Sequence, residues 1–208
     1  MNADRARDLL DQAADEPKRL RRHLLVAAAL RELLEVEPIV VGGTAEEFWT
    51  RDEYHPTDLD VVLPFGRDEE RRLRDAGFRR EGRHWTTDRI PIAIEIPDSA
   101  LDGDPARTHL ESVGVGAARI IGVDDLYLDR LRQATMNERA EGVEYHSALA
   151  VMSARYEDLD RRYIRARLAD IAHRQPRLAE TMRRIHRRIG TRVRRLLTTT
   201  DGDASGRG

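Results

Sequence analysis

The chain has no cysteine among its 208 residues and only one lysine, Lys18. Without cysteine it can form neither a disulfide framework nor a thiolate metal site. The longest uninterrupted apolar run, Leu24 to Leu30, has seven residues, whereas a membrane-spanning helix needs about 20. The N-terminal residues 1–16 alternate charges and lack the apolar core of a signal peptide. These absences predict a cytoplasmic protein with no membrane segment.

Charge is unevenly distributed along the chain, although the formal net charge is only −2. Residues 161–195 contain thirteen arginines against two acidic residues, a local net charge of +11, whereas residues 1–160 carry a net charge of −12. An acidic body joined to a basic C-terminal region indicates polyanion binding. A solvated helix face that pairs with the acidic body gives the same pattern, so both interpretations stay open.

Hydrophobic periodicity predicts a helical arm, a mixed α/β body and a helical C-terminal region. The expected helices and strands of the first two parts are helices over 3–15, 17–35, 44–50 and 68–76, strands over 38–41, 59–63 and 90–96, and hairpins over 78–87 and 113–123. The polar loop 51–57 contains His55, which we interpret as a loop histidine. The first strand, a helix and the second strand form a βαβ-like opening, but no G-x-G-x-x-G follows a strand, so a dinucleotide-binding fold is unsupported.

From residue 124 onward the pattern is helical, with expected helices over 124–134, 143–154, 156–174 and 176–197. The predicted divisions are an N-terminal helical arm over 1–36, a core over 37–135, a basic helical region over 136–197 and a disordered polar tail over 198–208. The predicted fold class is therefore α+β, with a small mixed β-sheet between N-terminal helices and a C-terminal helical extension.

Three carboxylates form the main candidate site. Asp58 and Asp60 lie on one face of a strand, under about 7 Å apart, because side chains alternate along a strand. Such a pair repels unless a cation lies between the two groups, and oxygen ligands favour Mg²⁺ or Mn²⁺. Glu95 lies in an apolar strand and faces away from its isoleucines, so the three acids converge if the two strands are neighbours. A lone D-x-D pair is more often a strand-edge pair or a turn cap.

A glycine pair supplies the other half of the candidate site. Gly42 and Gly43 end the first strand, and they allow backbone N–H groups to approach a phosphate without a clashing Cβ. A helix that begins at Thr44, with a capping box to Glu47, would present its positive end to that phosphate. Alone, a glycine pair after a strand is usually a turn.

The order of these motifs resembles the polymerase-beta-like nucleotidyltransferase superfamily. The residues that carry the resemblance are Val40-Val41-Gly42-Gly43-Thr44-Ala45, then Asp58-Leu59-Asp60-Val61-Val62, and later Ala93-Ile94-Glu95-Ile96. They look most like the small prokaryotic branch that includes abortive-infection nucleotidyltransferase toxins. The resemblance covers residues 38–134. It implies that Asp58, Asp60 and Glu95 are metal-binding catalytic residues and that Gly42, Gly43 and Thr44 bind nucleotide.

The helix that begins near Val123 resembles the helix that follows the sheet in that branch, where a lysine often reaches the triphosphate. This chain has Arg130 at the matching place, which can hold a phosphate bidentately but is not equivalent to lysine. A solvated Arg130 on an ordinary amphipathic helix is equally compatible with the sequence. A lysine–aspartate motif that is frequent in the toxin branch has no match over 135–154.

The basic region carries a regular apolar seam. Its members recur every three or four residues over 176–197: Leu178, Met182, Ile185, Ile189, Val193 and Leu196. The seam must bury against this chain or against a partner. We interpret Arg183, Arg184, Arg187 and Arg188 as an outward-facing group that could contact RNA.

Two functions of different classes fit this sequence. The first is a metal-dependent enzyme that transfers a nucleoside monophosphate from an NTP to an acceptor, RNA being the first candidate. The second is a non-catalytic nucleotide-binding module, or one half of a toxin–antitoxin pair that docks a protein partner or a second copy through the helical seam. The acid triad favours the first, and the missing lysine–aspartate motif favours the second.

Overall fold

The computed structural model describes residues 2–51, 56–136 and 142–204, with side chains up to residue 198. The loop histidine His55 lies outside the described residues, as do residues 205–208 of the predicted tail. No helix in the described ranges is long and apolar enough to cross a membrane.

Eight helices and seven strands make up the described chain. The helices are α1 (Ala3–Asp15), α2 (Arg19–Leu34), α3 (Gly42–Thr50), α4 (Arg67–Asp75), α5 (Val123–Met136), α6 (Val143–Ala154), α7 (Arg161–Arg174) and α8 (Pro176–Ala204). The strands are β1 (Ile39–Val40), β2 (Leu59–Val62), β3 (Arg79–Glu81), β4 (His84–Thr86), β5 (Ala93–Glu95), β6 (His109–Val113) and β7 (Gly116–Ile120). The predicted α+β class with a mixed sheet is confirmed.

The seven strands form one mixed sheet in the order β3-β4-β5-β2-β1-β7-β6. The strands β2 and β5 are parallel, as are β1 and β7, while the remaining neighbours are antiparallel. The expected βαβ-like opening is wrong, because β1 and β2 pair antiparallel through Ile39 and Val62. Helix α3 therefore joins two neighbouring antiparallel strands, a connection that needs no crossover.

The chain divides into two compact units, Met1–Gly122 and Val123–Gly208. In the first unit, helices α1 and α2 pack against each other and α2 packs on the sheet. The seven apolar residues Leu24 to Leu30 of α2 are all buried. About two turns of α2 are therefore buried on every side, which explains why the arm belongs to the same compact unit as the sheet.

The second unit consists of helices α5 to α8, with α8 packed on the other three. The predicted seam is largely buried within this unit: Met182, Ile189 and Val193 are at most 1% exposed. Leu178 and Ile185 are half-buried, and Leu196 is 51% exposed. The apolar seam of α8 is thus covered by the chain's own helices over most of its length.

Two helix boundaries in this unit differ from the prediction. Helix α7 begins at Arg161, five residues later than the expected start at residue 156, because the Asp160 carboxylate accepts hydrogen bonds from the first-turn N–H groups of Arg162 and Tyr163. Helix α8 continues to Ala204, so residues 198–204 are helical where we predicted disorder. The Thr198 hydroxyl donates to the carbonyls of Arg194 and Arg195, which keeps this residue within the helical hydrogen-bond pattern.

Candidate active site

The sheet register sets the predicted carboxylates on one face of the sheet, where Asp58 and Glu95 share a cluster and the Asp60 carboxylate lies against Gly42. Asp60 on β2 is the direct partner of Glu95 on β5, and Leu59 is the partner of Ile94. Leu59 and Ile94 are both fully buried, so the acids, one residue further along each strand, lie on the opposite face. Asp58 precedes β2 and shares the face of Asp60.

A histidine that the sequence analysis did not assign to the site joins this group. His84 on β4 is the cross-strand partner of Glu95. Its Nε2 atom lies 3.7 Å from Asp58 Oδ2 and 3.6 Å from Glu95 Oε2. The three ligand atoms of Asp58, His84 and Glu95 all lie within 4.8 Å of one another. We call these three residues the acid–histidine centre.

The acid–histidine centre fits a divalent cation. The Nε2 atom of His84 is buried and has no hydrogen-bond partner among the described residues, which is costly unless something else satisfies it. Its side chain is 29% exposed, and those of Asp58 and Glu95 are 26% and 18% exposed, so a ligand can still enter. An ion between the three atoms would satisfy the imidazole and offset the repulsion between the two carboxylates.

One arginine contributes positive charge at the edge of the centre. Arg83 Nε lies 3.3 Å from Glu95 Oε2, and the Arg83 side chain is 71% exposed. An ion pair this exposed is worth little in water. Arg83 can therefore leave Glu95 without a large penalty when a cation binds.

The glycine turn lies directly against the second aspartate. Helix α3 begins at Gly42, whose φ is +59°. A Cβ at Gly42 would come 1.9 Å from Asp60 Oδ2, so only glycine fits. The Val41 N–H donates to the Asp60 carbonyl at 3.0 Å, which fixes the turn on β2. The first N–H groups of α3, including that of the buried Gly43, therefore start beside the Asp60 carboxylate.

Thr44 has a different role from the predicted helix cap, because α3 begins two residues before it. Its side chain is fully buried. The Thr44 hydroxyl donates to the carbonyl of Asp58 at 3.3 Å and lies 2.8 Å from His23 Nδ1. Glu47, the expected partner in the capping box, instead pairs with Arg19 at 3.1 Å. Thr44 thus holds the backbone at Asp58 in place.

His23 completes this contact from helix α2. Burial, together with the nearby cations Arg19 and Arg22, lowers the pKa of His23 from 6.5 to about 4. The imidazole is therefore neutral at pH 7. Since the single hydroxyl proton of Thr44 goes to Asp58, the Nδ1–H of His23 donates to Thr44. A buried chain of hydrogen bonds runs from α2 through α3 to the residue that starts the acid–histidine centre.

Comparison with solved structures agrees with this architecture. An antigenic nucleotidyltransferase-like protein from Paracoccidioides brasiliensis is similar to this chain with a TM-score of 0.51 and 12% sequence identity, over 79% of this chain and 92% of that chain. At this identity the likeness concerns the fold alone. The chain has a nucleotidyltransferase-like fold.

Two structures of the antibiotic-resistance factor ANT(2'')-Ia are more distant. The solution structure has a TM-score of 0.46 and 15% identity over 76% of this chain and 96% of that chain. The crystal structure in complex with adenylyl-2''-tobramycin has a TM-score of 0.47 and 11% identity over 76% and 93%. No protein-family model matches the sequence, and no curated protein matches it.

Arg130 lies in the second unit, on α5, outside the sheet that carries the acid–histidine centre. Arg130 is 8% exposed. Its Nη1 donates to Gln133 Oε1 at 2.8 Å, and its Nη2 lies 3.8 Å from Asp129 Oδ2. Arg130 therefore contacts neighbours on its own helix.

The neighbouring acids of α5 have structural partners in the same unit. Asp124 accepts a hydrogen bond from the backbone N–H of Asp160, and Asp125 accepts one from the Tyr163 hydroxyl, each at 2.8 Å. Both acids are buried. They attach the start of α7 to α5. Both carboxylates therefore have a structural role that needs no bound ligand.

His84 could have been found from the sequence by its place in the hairpin. Trp85 is 2% exposed, so the alternation along β4 puts His84 and Thr86 on the other face. The hairpin then needs to pair with the Glu95 strand to bring His84 to the acids. That pairing is a tertiary contact, and local periodicity does not reveal it.

Proposed function

We propose that this protein is a metal-dependent nucleotidyltransferase that uses the acid–histidine centre. The observation that carries the proposal is the buried Nε2 of His84, which lies between the carboxylates of Asp58 and Glu95 and has no hydrogen bond to any described residue. The nucleotidyltransferase-like fold and the glycine turn against Asp60 support it. Together these features support the binding of a cation and of nucleotide phosphates on one face of the sheet.

The proposed reaction moves a nucleoside monophosphate from an NTP to an acceptor hydroxyl. A bond forms between the acceptor oxygen and the α-phosphorus, the bond from that phosphorus to the bridging oxygen breaks, and pyrophosphate leaves with the electron pair. A bound divalent cation would neutralise the charge that develops on the phosphate oxygens. Asp58, His84 and Glu95 would hold that cation, and Asp60 would approach it from the same face of the sheet. Glu95 would also polarise the acceptor hydroxyl and accept its proton.

The residues around the glycine turn bind the nucleotide in this proposal. Gly42 and Gly43 open the first turn of α3, whose unpaired N–H groups and dipole favour a phosphate. Thr44 contributes through its backbone, since its hydroxyl already bonds within the protein. Arg130 is a further candidate for the triphosphate, and it would have to exchange its contacts with Asp129 and Gln133.

The ion is Mg²⁺ or Mn²⁺, and the presence of His84 favours Mn²⁺. Carboxylate oxygens suit both ions, but Mg²⁺ is a hard cation that prefers oxygen ligands and retains water. An imidazole nitrogen in the ligand set therefore shifts the preference towards Mn²⁺. The three oxygen ligands predicted from the sequence did not distinguish Mn²⁺ from Mg²⁺.

RNA is the acceptor that we propose, because of the basic helices of the second unit. The resemblance to the abortive-infection branch, a toxin–antitoxin role and a cytoplasmic location complete the proposal and rest on the sequence alone. The alternative is a non-catalytic nucleotide-binding module that docks a protein partner or a second copy. The largely buried seam of α8 reduces the apolar surface available for such docking.

The test is incubation of the full chain with Mn²⁺, each α-labelled NTP in turn and total RNA. We expect label to transfer to RNA and pyrophosphate to appear. Glu95→Gln should abolish both. Glu111→Gln is the matched control, since Glu111 also pairs with a histidine, His109, at 3.0 Å but has no place in the acid–histidine centre. NTP binding with no transfer to any acceptor would favour the non-catalytic module.

A further inference from the structure

A strongly cationic groove lies in the second unit between helices α6 and α8. It has a volume of about 530 Å³, and its lining residues are Tyr145, Arg187, Arg188, Thr191, Arg192 and Arg195. All four arginines are exposed. The facing helix α6 contains one acidic residue, Glu144, so the groove keeps a clear excess of positive charge. We call it the arginine groove.

Helix geometry arranges these arginines in a row. Arg188, Arg192 and Arg195 are spaced by four and three residues, which places them on one face of α8. At a rise of 1.5 Å per residue they span about 10 Å along the helix axis. Like charges at this spacing destabilise a helix by a few tenths of a kcal/mol per pair. Such a row is therefore unfavourable for the helix alone and favourable for an anion that bridges it.

One member of the row is pre-oriented. The guanidinium of Arg188 lies over the ring of Tyr145, 5.2 Å from its centroid. Tyr145 is 3% exposed, so its ring is a fixed support and not a surface on which a base can stack. This contact restricts the Arg188 side chain, which lowers the entropic cost of a contact with a phosphate.

Another arginine of the same helix shows the contrast. Arg183 is half-buried and donates from Nη2 to the Leu168 carbonyl at 3.2 Å. It connects α8 to α7, so our interpretation of Arg183 as part of the outward-facing group is wrong. The outward cations of α8 near α6 are those of the arginine groove.

We propose that the arginine groove binds the phosphodiester backbone of single-stranded RNA. A row of about 10 Å accommodates about three phosphates of a strand whose bases stay stacked at about the 3.4 Å rise of a DNA strand. The groove offers arginine forks and a threonine hydroxyl but no exposed aromatic ring, so it recognises phosphates and not base sequence. The choice of RNA as the ligand rests on the proposed function, in which RNA is the acceptor. The contacts between the groove and phosphates do not depend on that function.

The test measures fluorescence anisotropy of a short labelled RNA with the full chain, without NTP or metal. With about three neutralised phosphates, the slope of log K against log salt should be about −2, which is about a 20-fold loss of affinity between about 50 mM and about 200 mM salt. Replacing Arg187, Arg188, Arg192 and Arg195 with glutamine should weaken binding at least about tenfold and flatten the slope. A double variant of Arg192 and Arg195 should give a smaller loss in the same direction.

The matched control replaces four other exposed arginines of the second unit, Arg162, Arg165, Arg174 and Arg177, with glutamine. It removes the same charge, and we expect it to keep most of the affinity. Equal losses in the two quadruple variants would overturn the groove as the site, as would no RNA binding at low salt. Tighter binding of an acidic peptide than of RNA would overturn RNA as the occupant.

Further arms separate this proposal from the proposed function. Equal affinity for DNA of the same sequence would support phosphate recognition. The groove variant should bind Mn²⁺ like the wild type, which also shows that its first unit is folded. Glu95→Gln should bind RNA like the wild type while losing nucleotidyl transfer. Loss of RNA binding in Glu95→Gln would contradict an independent groove.

Discussion

Gly42 and Asp60 are in such close contact that no side chain fits between them. A Cβ on Gly42 would lie 1.9 Å from Asp60 Oδ2 and 2.7 Å from its Cγ. The left-handed φ of +59° at Gly42 adds a second reason for glycine. The position of the Asp60 carboxylate on β2 therefore requires glycine at the residue that starts α3.

We predict that Gly42→Ala displaces the Asp60 carboxylate and weakens Mn²⁺-dependent NTP binding at least about tenfold. Gly82→Ala is the matched control, because Gly82 has a φ of +62° and no atom within 4 Å of the added Cβ. Both variants should lose about 1–2 kcal/mol of stability from the left-handed backbone. Thermal shift with Mn²⁺ and NTP measures the difference, and identical shifts in both variants would refute the role of Gly42.

Thr44→Val should destabilise the protein by about 1–3 kcal/mol, because it leaves the buried His23 and the Asp58 carbonyl without their common partner. We expect it to weaken Mn²⁺ binding as well, since Asp58 begins the acid–histidine centre. Thr44→Ser should restore both properties. Thr50→Val is the control, since the Thr50 hydroxyl bonds only to the Glu46 carbonyl one turn earlier in α3. Unfolding in urea and calorimetric titration with Mn²⁺ provide the two readouts.

Stability should fall as the pH drops from 6.5 towards 4, because the unfolded chain protonates His23 in this range while the folded chain keeps it neutral. A folded pKa of about 4 implies a free energy of unfolding about 2 kcal/mol lower near pH 5 than near pH 7.5 from this residue. His186, whose pKa burial also lowers, acts in the same direction. His23→Gln should reduce the loss between the two pH values. If the free energy of unfolding of that variant depended on pH as in the wild type, folding would not lower the pKa of His23.

His84 should decide the preference between metal ions. We predict that His84→Ala weakens Mn²⁺ binding more than Mg²⁺ binding, because the lost ligand is a nitrogen. His109→Ala serves as control, since His109 pairs with Glu111 away from the acid–histidine centre. Competition titrations of both ions measure the ratio of affinities. A ratio that His84→Ala leaves unchanged would exclude the imidazole as a ligand.

The sequence predicted the elements that local patterns determine. Helices α1 and α6 have the predicted bounds, and the alternation around Asp60 and Glu95 placed both acids opposite buried residues. The β3–β4 hairpin was likewise expected at Gly82. Each of these features depends on residues close together in the chain.

Features that depend on pairing between distant segments were missed. The antiparallel pairing of β1 and β2 and the contact of His84 with Glu95 follow from the order of strands in the sheet. The contact of His23 with Thr44 joins residues 21 positions apart. Thr44 looked like a helix cap because its own neighbours, read alone, fit that role.

The metal centre is tested by titrating the full chain with Mn²⁺ and monitoring the ion by electron paramagnetic resonance. We expect one tightly bound Mn²⁺ per chain, with spin-echo modulation from a directly coordinated imidazole nitrogen that disappears in His84→Ala. Glu95→Gln should lose the ion, and Glu111→Gln should keep it. A wild-type chain that binds no Mn²⁺, or a Glu95→Gln variant that binds it as tightly as the wild type, would contradict a metal centre formed by Asp58, His84 and Glu95.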